Sequence, residues 1–239
     1  MAVQFADFTD PLALPLWVGG IVSEVKAPEP GVLVRRARPR EHQPAGDERP
    51  LYLALAGLKD RQAVLAFVEA YGLPDPTPAP GGGWFQSWQS IQGTIRHLRR
   101  ACLGLTAAKR ARATGRPAEH LVGDDDEPLA DRIAQTERMA DTLINQHLGR
   151  VRYRLVRTAE GHAILRAQVT TPLAMAWWQV AHAIGSEVAI LTCDECGALL
   201  QTAHVRARNY CSARCSSRKR QRDLRTRRAA QERKKGRHA

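Results

Sequence analysis

Apolar residues recur at helical spacing in three long segments, and this pattern predicts a mainly α protein. Residues 60–71 predict one helix, which Gly72 terminates. A second segment predicts a helix of about six turns, and its apolar stripe is Trp84, Trp88, Ile91, Ile95, Leu98, Cys102 and Leu105. A polar stretch, 111–127, predicts the loop before a third helix that starts near Pro128. The buried side of this third helix is expected to be Leu129, Ile133, Ala140, Leu143, Ile144 and Leu148.

The period of the pattern changes to two between residues 150 and 169. Two alternating runs of apolar and polar residues flank a turn at residues 160–161, and they predict a β-hairpin. The arginine face of this hairpin is either a second contact for an anion or the solvated side of a strand, and its members are Arg150, Arg152 and Arg154. Residues 1–50 are irregular by pattern, with one short strand expected around 31–36.

A last apolar helix is expected to open at Thr171-Pro172 and to end at Gly185. It is apolar on nearly all sides, so it is predicted to lie at the centre of the core. The expected fold class is therefore mainly α (α+β). We expect a helical domain with a β-hairpin over residues 1–187, followed by a second, smaller module over residues 188–239.

Charge separates these two parts more sharply than hydropathy does. The net charge of the chain is +12, and residues 193–239 hold 14 lysines and arginines against 4 acidic residues. The rest of the chain is nearly neutral. The charge is therefore a basic segment attached to a nearly neutral domain, not a generally cationic surface. Such a segment favours a polyanionic partner.

Four of the five cysteines are spaced as metal ligands. Cys193 and Cys196 form a Cys-x2-Cys turn, and Cys211 and Cys215 follow after fourteen residues, four positions apart at the predicted start of a helix. Four thiolates give Zn²⁺ a closed tetrahedral site with no open position for water, so the predicted role of the metal is structural. The order of hairpin and helix favours a treble-clef-like finger.

The other interpretations of the cysteines explain less of the pattern. Disulfide bonds require an oxidising compartment, and a redox Cys-x2-Cys motif does not require the second pair. His204 lies between the pairs and could replace a thiolate, but four cysteines already fill the coordination shell. Cys102 belongs to an apolar stripe, so it is expected to be an inert core residue.

The segment that begins within the second cysteine pair predicts a strongly basic helix. It holds twelve lysines and arginines between residues 214 and 237. The expected contacts to phosphates or bases are Arg214, Arg218, Lys219, Arg222 and Arg225. Duplex DNA is the preferred partner because a helix fits its major groove, whereas RNA stays open because phosphate attraction does not distinguish the two. The alternatives are association with a protein and a charged tail that only aids solubility.

These cysteines and their neighbours resemble the bacterial CGNR-type zinc finger proteins. Cys193, Cys196, Cys211 and Cys215 match the four ligand positions of that family, and Tyr210-Cys211-Ser212 is similar to the entry to its second pair. The defining tetrapeptide is matched at its ends by Cys215 and Arg218, with Ser216-Ser217 in place of Gly-Asn. The resemblance covers about 45 residues and implies a mainly helical N-terminal domain, a C-terminal zinc finger and a role in transcription regulation.

No catalytic constellation stands out before residue 190, so the chain is not predicted to be an enzyme, and an enzyme site assembled from distant residues is the competing hypothesis. The acidic run 124–127 is expected to serve the start of a helix. The tryptophans are expected in the core, with a small-molecule pocket as the alternative. The first domain is expected to sense a ligand or to form a homodimer.

The N-terminus does not predict secretion, because Asp7 and Asp10 precede its short apolar stretch where a signal peptide carries positive charge. No apolar run is long enough to cross a bilayer. Clustered cysteines at metal-ligand spacing fit a reducing compartment. A cytoplasmic location is therefore expected.

Overall fold

The structure is a computed structural model that describes residues 24–35, 50–80, 82–157, 161, 163–169, 171–185, 189–202 and 210–235. Its helices are α1 (Leu51–Ala56), α2 (Arg61–Tyr71), α3 (Trp88–Thr114), α4 (Leu129–Leu148), α5 (Pro172–Gly185) and α6 (Ala213–Lys235). Its strands are β1 (Glu24–Lys26), β2 (Gly31–Arg35), β3 (Thr77–Pro78), β4 (Trp84–Ser87), β5 (Arg152–Arg157), β6 (Ala163–Gln168), β7 (Ala189–Thr192) and β8 (Leu199–Thr202). The expectations for residues 1–23 and 36–49, for the turn residue Glu160 and for His204 lie outside the described residues.

The main core forms where α1, α3, α4 and α5 pack together, and we call these elements with α2 the helical body. Trp177 of α5 is fully buried at its centre, beside Tyr52, Leu98 and Met175. A nearly all-apolar helix has to be covered on most sides. α1, α3 and α4 pack against α5, and only Ile184 among its large apolar residues is exposed. The predicted fold class, mainly α (α+β), is confirmed, and the strands form small antiparallel sheets.

Sequence patterns located α2, α4 and α5 closely. Asp60 caps α2, because its carboxylate accepts a hydrogen bond from the Ala63 N–H at 2.8 Å. Thr171 does the same for α5, since its hydroxyl accepts from the Ala174 N–H at 3.1 Å. Pro128 is the residue before α4. An N–H at this position would make no hydrogen bond within the helix, so proline is tolerated there.

The helix predicted from Trp84 begins one turn later than expected. Residues 84–87 form β4, which pairs with β2 in a four-stranded antiparallel sheet of order β1-β2-β4-β3. Ser87 then starts α3, because its hydroxyl accepts a hydrogen bond from the Ser90 N–H at 3.1 Å. Trp84 keeps helical spacing with Trp88, but strand pairing determines its conformation.

The far end of α3 also differs from the prediction. The helix runs to Thr114 and includes the first residues of the segment expected to be a loop. Ala111 is fully buried against α4, which keeps this last turn helical. Gly115 ends it in a left-handed conformation with φ of +65°.

The predicted hairpin is confirmed as β5 and β6, which pair antiparallel. Val151 and Val169 at its base are buried in the main core. Leu155, which belongs to the alternating apolar set of β5, is 69% exposed, so that set does not form a covered face at this position. The hairpin is therefore anchored at its base and exposed further out.

A second hairpin, β7 and β8, lies against α3, α1 and α5. The Thr106 hydroxyl of α3 donates to the Ile190 carbonyl, and the Tyr52 hydroxyl donates to the Gln201 side chain at 3.0 Å. Ile190 and Leu199 are buried in the main core. The segment that holds the first two candidate ligands is thus built onto the helical body.

Candidate metal centre

The first ligand pair lies in the tight turn of the β7–β8 hairpin, residues 193–197, which we call the knuckle. The Cys193 N–H donates to the Ala198 carbonyl at 2.8 Å, and the Gly197 N–H donates to the Cys193 carbonyl at 2.8 Å. Gly197 has a φ of +66°, a left-handed conformation that side chains rarely adopt. The turn places Cys193 and Cys196 on the same side of the hairpin end.

The second ligand pair lies at the start of α6. Cys211 precedes the helix and Cys215 falls in its first turn. The Ser212 hydroxyl accepts a hydrogen bond from the Cys215 N–H at 3.3 Å, so Ser212 caps the helix between the two cysteines. A spacing of four within this turn directs both thiols toward the knuckle.

The four sulfur atoms all lie within 4.8 Å of one another. The Cys211 sulfur is 3.5 Å from that of Cys196 and 3.5 Å from that of Cys215. A tetrahedral site with metal–sulfur bonds of about 2.3 Å has sulfur–sulfur edges of about 3.8 Å. A disulfide bond is only about 2.05 Å long, and all five cysteines are free thiols. The cluster has the dimensions of a four-thiolate metal site, and it is the only such group of potential ligands among the described residues.

The thiols differ in how readily they ionise. Burial by itself would raise the pKa of Cys193, but backbone N–H groups of Cys211, Cys196 and Glu195 hold that pKa at about 6. Burial and the neighbouring thiols raise the pKa of Cys211 to about 12. Cys193 thus gives up its proton easily, whereas Cys211 resists ionisation. A cation among the sulfurs removes this resistance, because it attracts each thiolate.

The predicted nucleic-acid contacts on α6 divide into two sets. Arg214, Arg218 and Arg225 are exposed and bond to no other described side chain. They lie within about 40° of one another around the helix axis. Lys219 forms an ion pair with Asp223 at 3.3 Å, and Arg222 forms one with Glu195 of the knuckle. Among the described residues, the first set is thus an exposed cationic face of the helix without ion-pair partners, whereas the second set is already engaged within the protein.

The other sequence candidates have structural partners. Asp125 of the acidic run forms an ion pair with buried Arg132 of α4 at 2.9 Å, and no metal-binding group includes this run among the described residues. Trp177 is a core residue that stacks on His147 with ring centroids 4.8 Å apart. Arg150 of the hairpin's arginine face forms an ion pair with Asp75 at 2.5 Å.

Cys102 is fully buried in the main core, as its place in the apolar stripe predicts. Burial raises its pKa to about 12, so the thiol stays protonated and inert near neutral pH. The fifth cysteine is therefore separate from the cluster.

Sequence reasoning missed the residues that hold the knuckle from outside. Lys59 and Arg99 donate hydrogen bonds to it, and Glu195 links it to α6. Lys59 and Arg99 are separated from their partners by 137 and 98 residues of chain, and no local pattern reports such a contact.

Within the described ranges, no helix is both long and apolar enough to cross a membrane. In comparisons with known proteins, no family model, no curated protein and no solved structure matches the chain.

Proposed function

We propose that the chain is a zinc-stabilised DNA-binding protein that acts in transcription regulation. The observation that carries this proposal is the position of the four-sulfur cluster, directly at the start of a helix with an exposed arginine face. A metal ion there fixes where the helix begins, and the helix carries the charge that attracts a polyanion. The resemblance to the CGNR-type zinc finger proteins supports the same role.

Zinc is the metal we propose, because four thiolates at tetrahedral distances suit it and it needs no redox partner. Its role is structural, since four protein ligands leave no open position for a substrate. The residues around the cluster bury little apolar surface, mainly Leu191, Leu200 and Tyr210. Metal ligation contributes on the order of 10–16 kcal/mol in units of this size, which compensates for so small a core.

The basic helix α6 is the proposed DNA-contacting element. Its 23 residues span about 35 Å. Arg214, Arg218 and Arg225 would contact phosphates or guanine edges, because the guanidinium group matches both in a bidentate geometry. Lys219 and Arg222 would add to the contact only after leaving their ion pairs. The helical body would sense a ligand or form a homodimer.

The competing proposal is a module for RNA or protein association without promoter specificity. Phosphate attraction alone is common to DNA and RNA. Competition by structured RNA and by unrelated duplex DNA separates the two proposals. A promoter-specific regulator keeps a target duplex against both competitors, whereas an RNA-associating module is displaced by the RNA.

A salt titration of the full chain tests the proposal. The test variant replaces Arg214, Arg218 and Arg225 with glutamine, and the control variant replaces three exposed arginines of α3, namely Arg96, Arg100 and Arg110. Both lose the same charge, so a difference between them reports position. Truncation is less suitable, because β7 and β8 pack on the helical body.

For the wild type we expect one zinc per chain and duplex affinity that falls linearly with the logarithm of salt concentration. The slope should become less steep by about 0.9 for each lost phosphate contact, hence by about 2.7 in the α6 variant if all three arginines contact phosphates, and little in the α3 variant. Equal effects of the two variants, or a wild type that does not bind duplex DNA, would refute the proposed function.

A further inference from the structure

Two cationic side chains of the helical body reach the knuckle from outside the finger. The Lys59 ammonium donates to the carbonyl of Cys196 at 3.1 Å. The Arg99 guanidinium, on α3, donates to the carbonyl of Gly197 at 3.3 Å and also approaches the carbonyl of Ala56 at 3.5 Å. Arg99 therefore joins the end of α1 to the ligand turn.

Both acceptors belong to the backbone that shapes the metal site. One carbonyl is that of a ligand itself, Cys196. The other is that of Gly197, whose N–H closes the turn onto the carbonyl of Cys193. Holding these two carbonyls therefore restrains the turn that carries the first two sulfurs. Hydrogen bonds from charged donors are about twice as strong as neutral ones.

Charge favours the same arrangement. Four thiolates around a divalent ion leave the centre with a net charge of about −2. Asp194 and Glu195 add further negative charge to the turn. Lys59 and Arg99 bring two positive charges to its backbone, and these act on the metal-bound state more than on a protonated, metal-free state.

The knuckle in turn is tied to the basic helix. Glu195, whose side chain is only 14% exposed, forms an ion pair with Arg222 of α6. The contacts therefore run from the helical body through the knuckle to the helix that carries the free arginines.

We propose that Lys59 and Arg99 are positioning residues of the metal centre, contributed by the helical body to hold the knuckle in its ligating conformation. The metal centre is then a joint structure of the two parts, and the body determines the direction in which α6 projects. This inference rests on the proposed metal binding by the four cysteines.

The rest of the hairpin is held independently of these two residues. The Thr106 hydroxyl contacts the Ile190 carbonyl, Tyr52 contacts Gln201, and Leu199 is buried in the main core. Loss of Lys59 or Arg99 should therefore loosen the knuckle while β7 and β8 stay docked. This separation makes metal affinity a more specific readout than unfolding.

The test measures the zinc dissociation constant of the full chain by competition with a chromogenic chelator. The variants are Lys59→Ala, Arg99→Ala and the double substitution, and the matched control is Arg100→Ala, the exposed neighbour on the same helix. Tryptophan fluorescence follows unfolding of the helical body in parallel.

We expect the double variant to bind zinc at least tenfold more weakly, since supporting residues of metal sites typically contribute about 10–100-fold. Arg100→Ala should match the wild type. Lys59→Arg, which keeps the charge, should retain most of the affinity that Lys59→Ala loses. Lys59 is exposed, so Lys59→Ala gives a folded variant even if Arg99→Ala does not.

Zinc affinity of the double variant within twofold of the wild type would overturn the inference and leave the proposed function intact. If Arg99→Ala unfolds the body, wild-type zinc affinity in Lys59→Ala overturns it in the same way. A wild type that binds no zinc would overturn both. A drop in zinc affinity that Arg100→Ala reproduces would also overturn the inference, because the effect would then belong to lost charge in general.

Discussion

Replacing Gly197 with alanine is expected to weaken metal binding through the backbone alone. Gly197 has a φ of +66°, and a Cβ at this position would lie 3.9 Å from the Arg99 guanidinium, which is ordinary contact. The expected loss of zinc affinity therefore does not come from a steric clash. A left-handed conformation costs a residue with a side chain about 1–2 kcal/mol. The metal-bound state requires this turn geometry, whereas the metal-free chain lacks the metal–sulfur bonds that enforce it, so we expect the cost to fall mainly on the metal-bound state.

The magnitude follows from this difference. Since about 1.4 kcal/mol corresponds to a tenfold change in an equilibrium constant, the zinc dissociation constant should rise about five- to thirtyfold. Competition with a chromogenic chelator measures it. Gly197→Asn should lose less zinc affinity than Gly197→Ala, because asparagine tolerates the left-handed region.

Gly115→Ala is the matched control. Gly115 has a φ of +65° at the end of α3, and nothing lies within 4 Å of a Cβ there. The backbone strain in Gly115→Ala is the same as in Gly197→Ala, but it falls on the helical body. The free energy of unfolding should therefore decrease while zinc affinity stays at the wild-type value. Unchanged zinc affinity in Gly197→Ala, or an equal loss in Gly115→Ala, would refute the reasoning.

Three further predictions concern single residues. Cys102→Ala should keep one zinc per chain by metal analysis and cost about 1 kcal/mol in urea unfolding, a typical value for a single core change. Glu195→Gln should release Arg222 and speed amide hydrogen exchange in the middle of α6; unchanged exchange would show that the ion pair does not hold the helix. Burial and Arg150 lower the pKa of His147 below its usual 6.5. The unfolded chain therefore binds an extra proton below about pH 6.5, so the free energy of unfolding should be level above that pH and should fall below it. In urea titrations of His147→Gln, this fall should be smaller.

Local pattern located most of the helices because their signals lie within a few residues. Asp60 before α2 and Gly185 at the end of α5 mark boundaries that the structure confirms. The helix prediction for Trp84 is wrong because its spacing fits a helix, while its pairing with Val34 depends on a strand fifty residues earlier. Leu155 shows the same limit, since alternation predicts a strand but not whether another element covers its apolar side.

In the candidate site, too, local features could be predicted and contacts between distant segments could not. The four cysteines could be predicted because their spacings of three and four are local, and a single ion needs such converging pairs. The partners of the knuckle could not, since Lys59 and Arg99 reach it only through packing of distant segments. Charge counts predicted a basic helix but could not separate its free arginines from Arg222, which pairs with Glu195.

We propose that a metal ion organises the helix that would contact DNA. The most direct test compares duplex binding of the zinc-loaded chain, the chelator-treated chain and the chain reloaded with zinc, at several salt concentrations. We expect duplex affinity to be lost with the metal and to return with it, with the same salt dependence before and after. Equal affinity with and without zinc would contradict it.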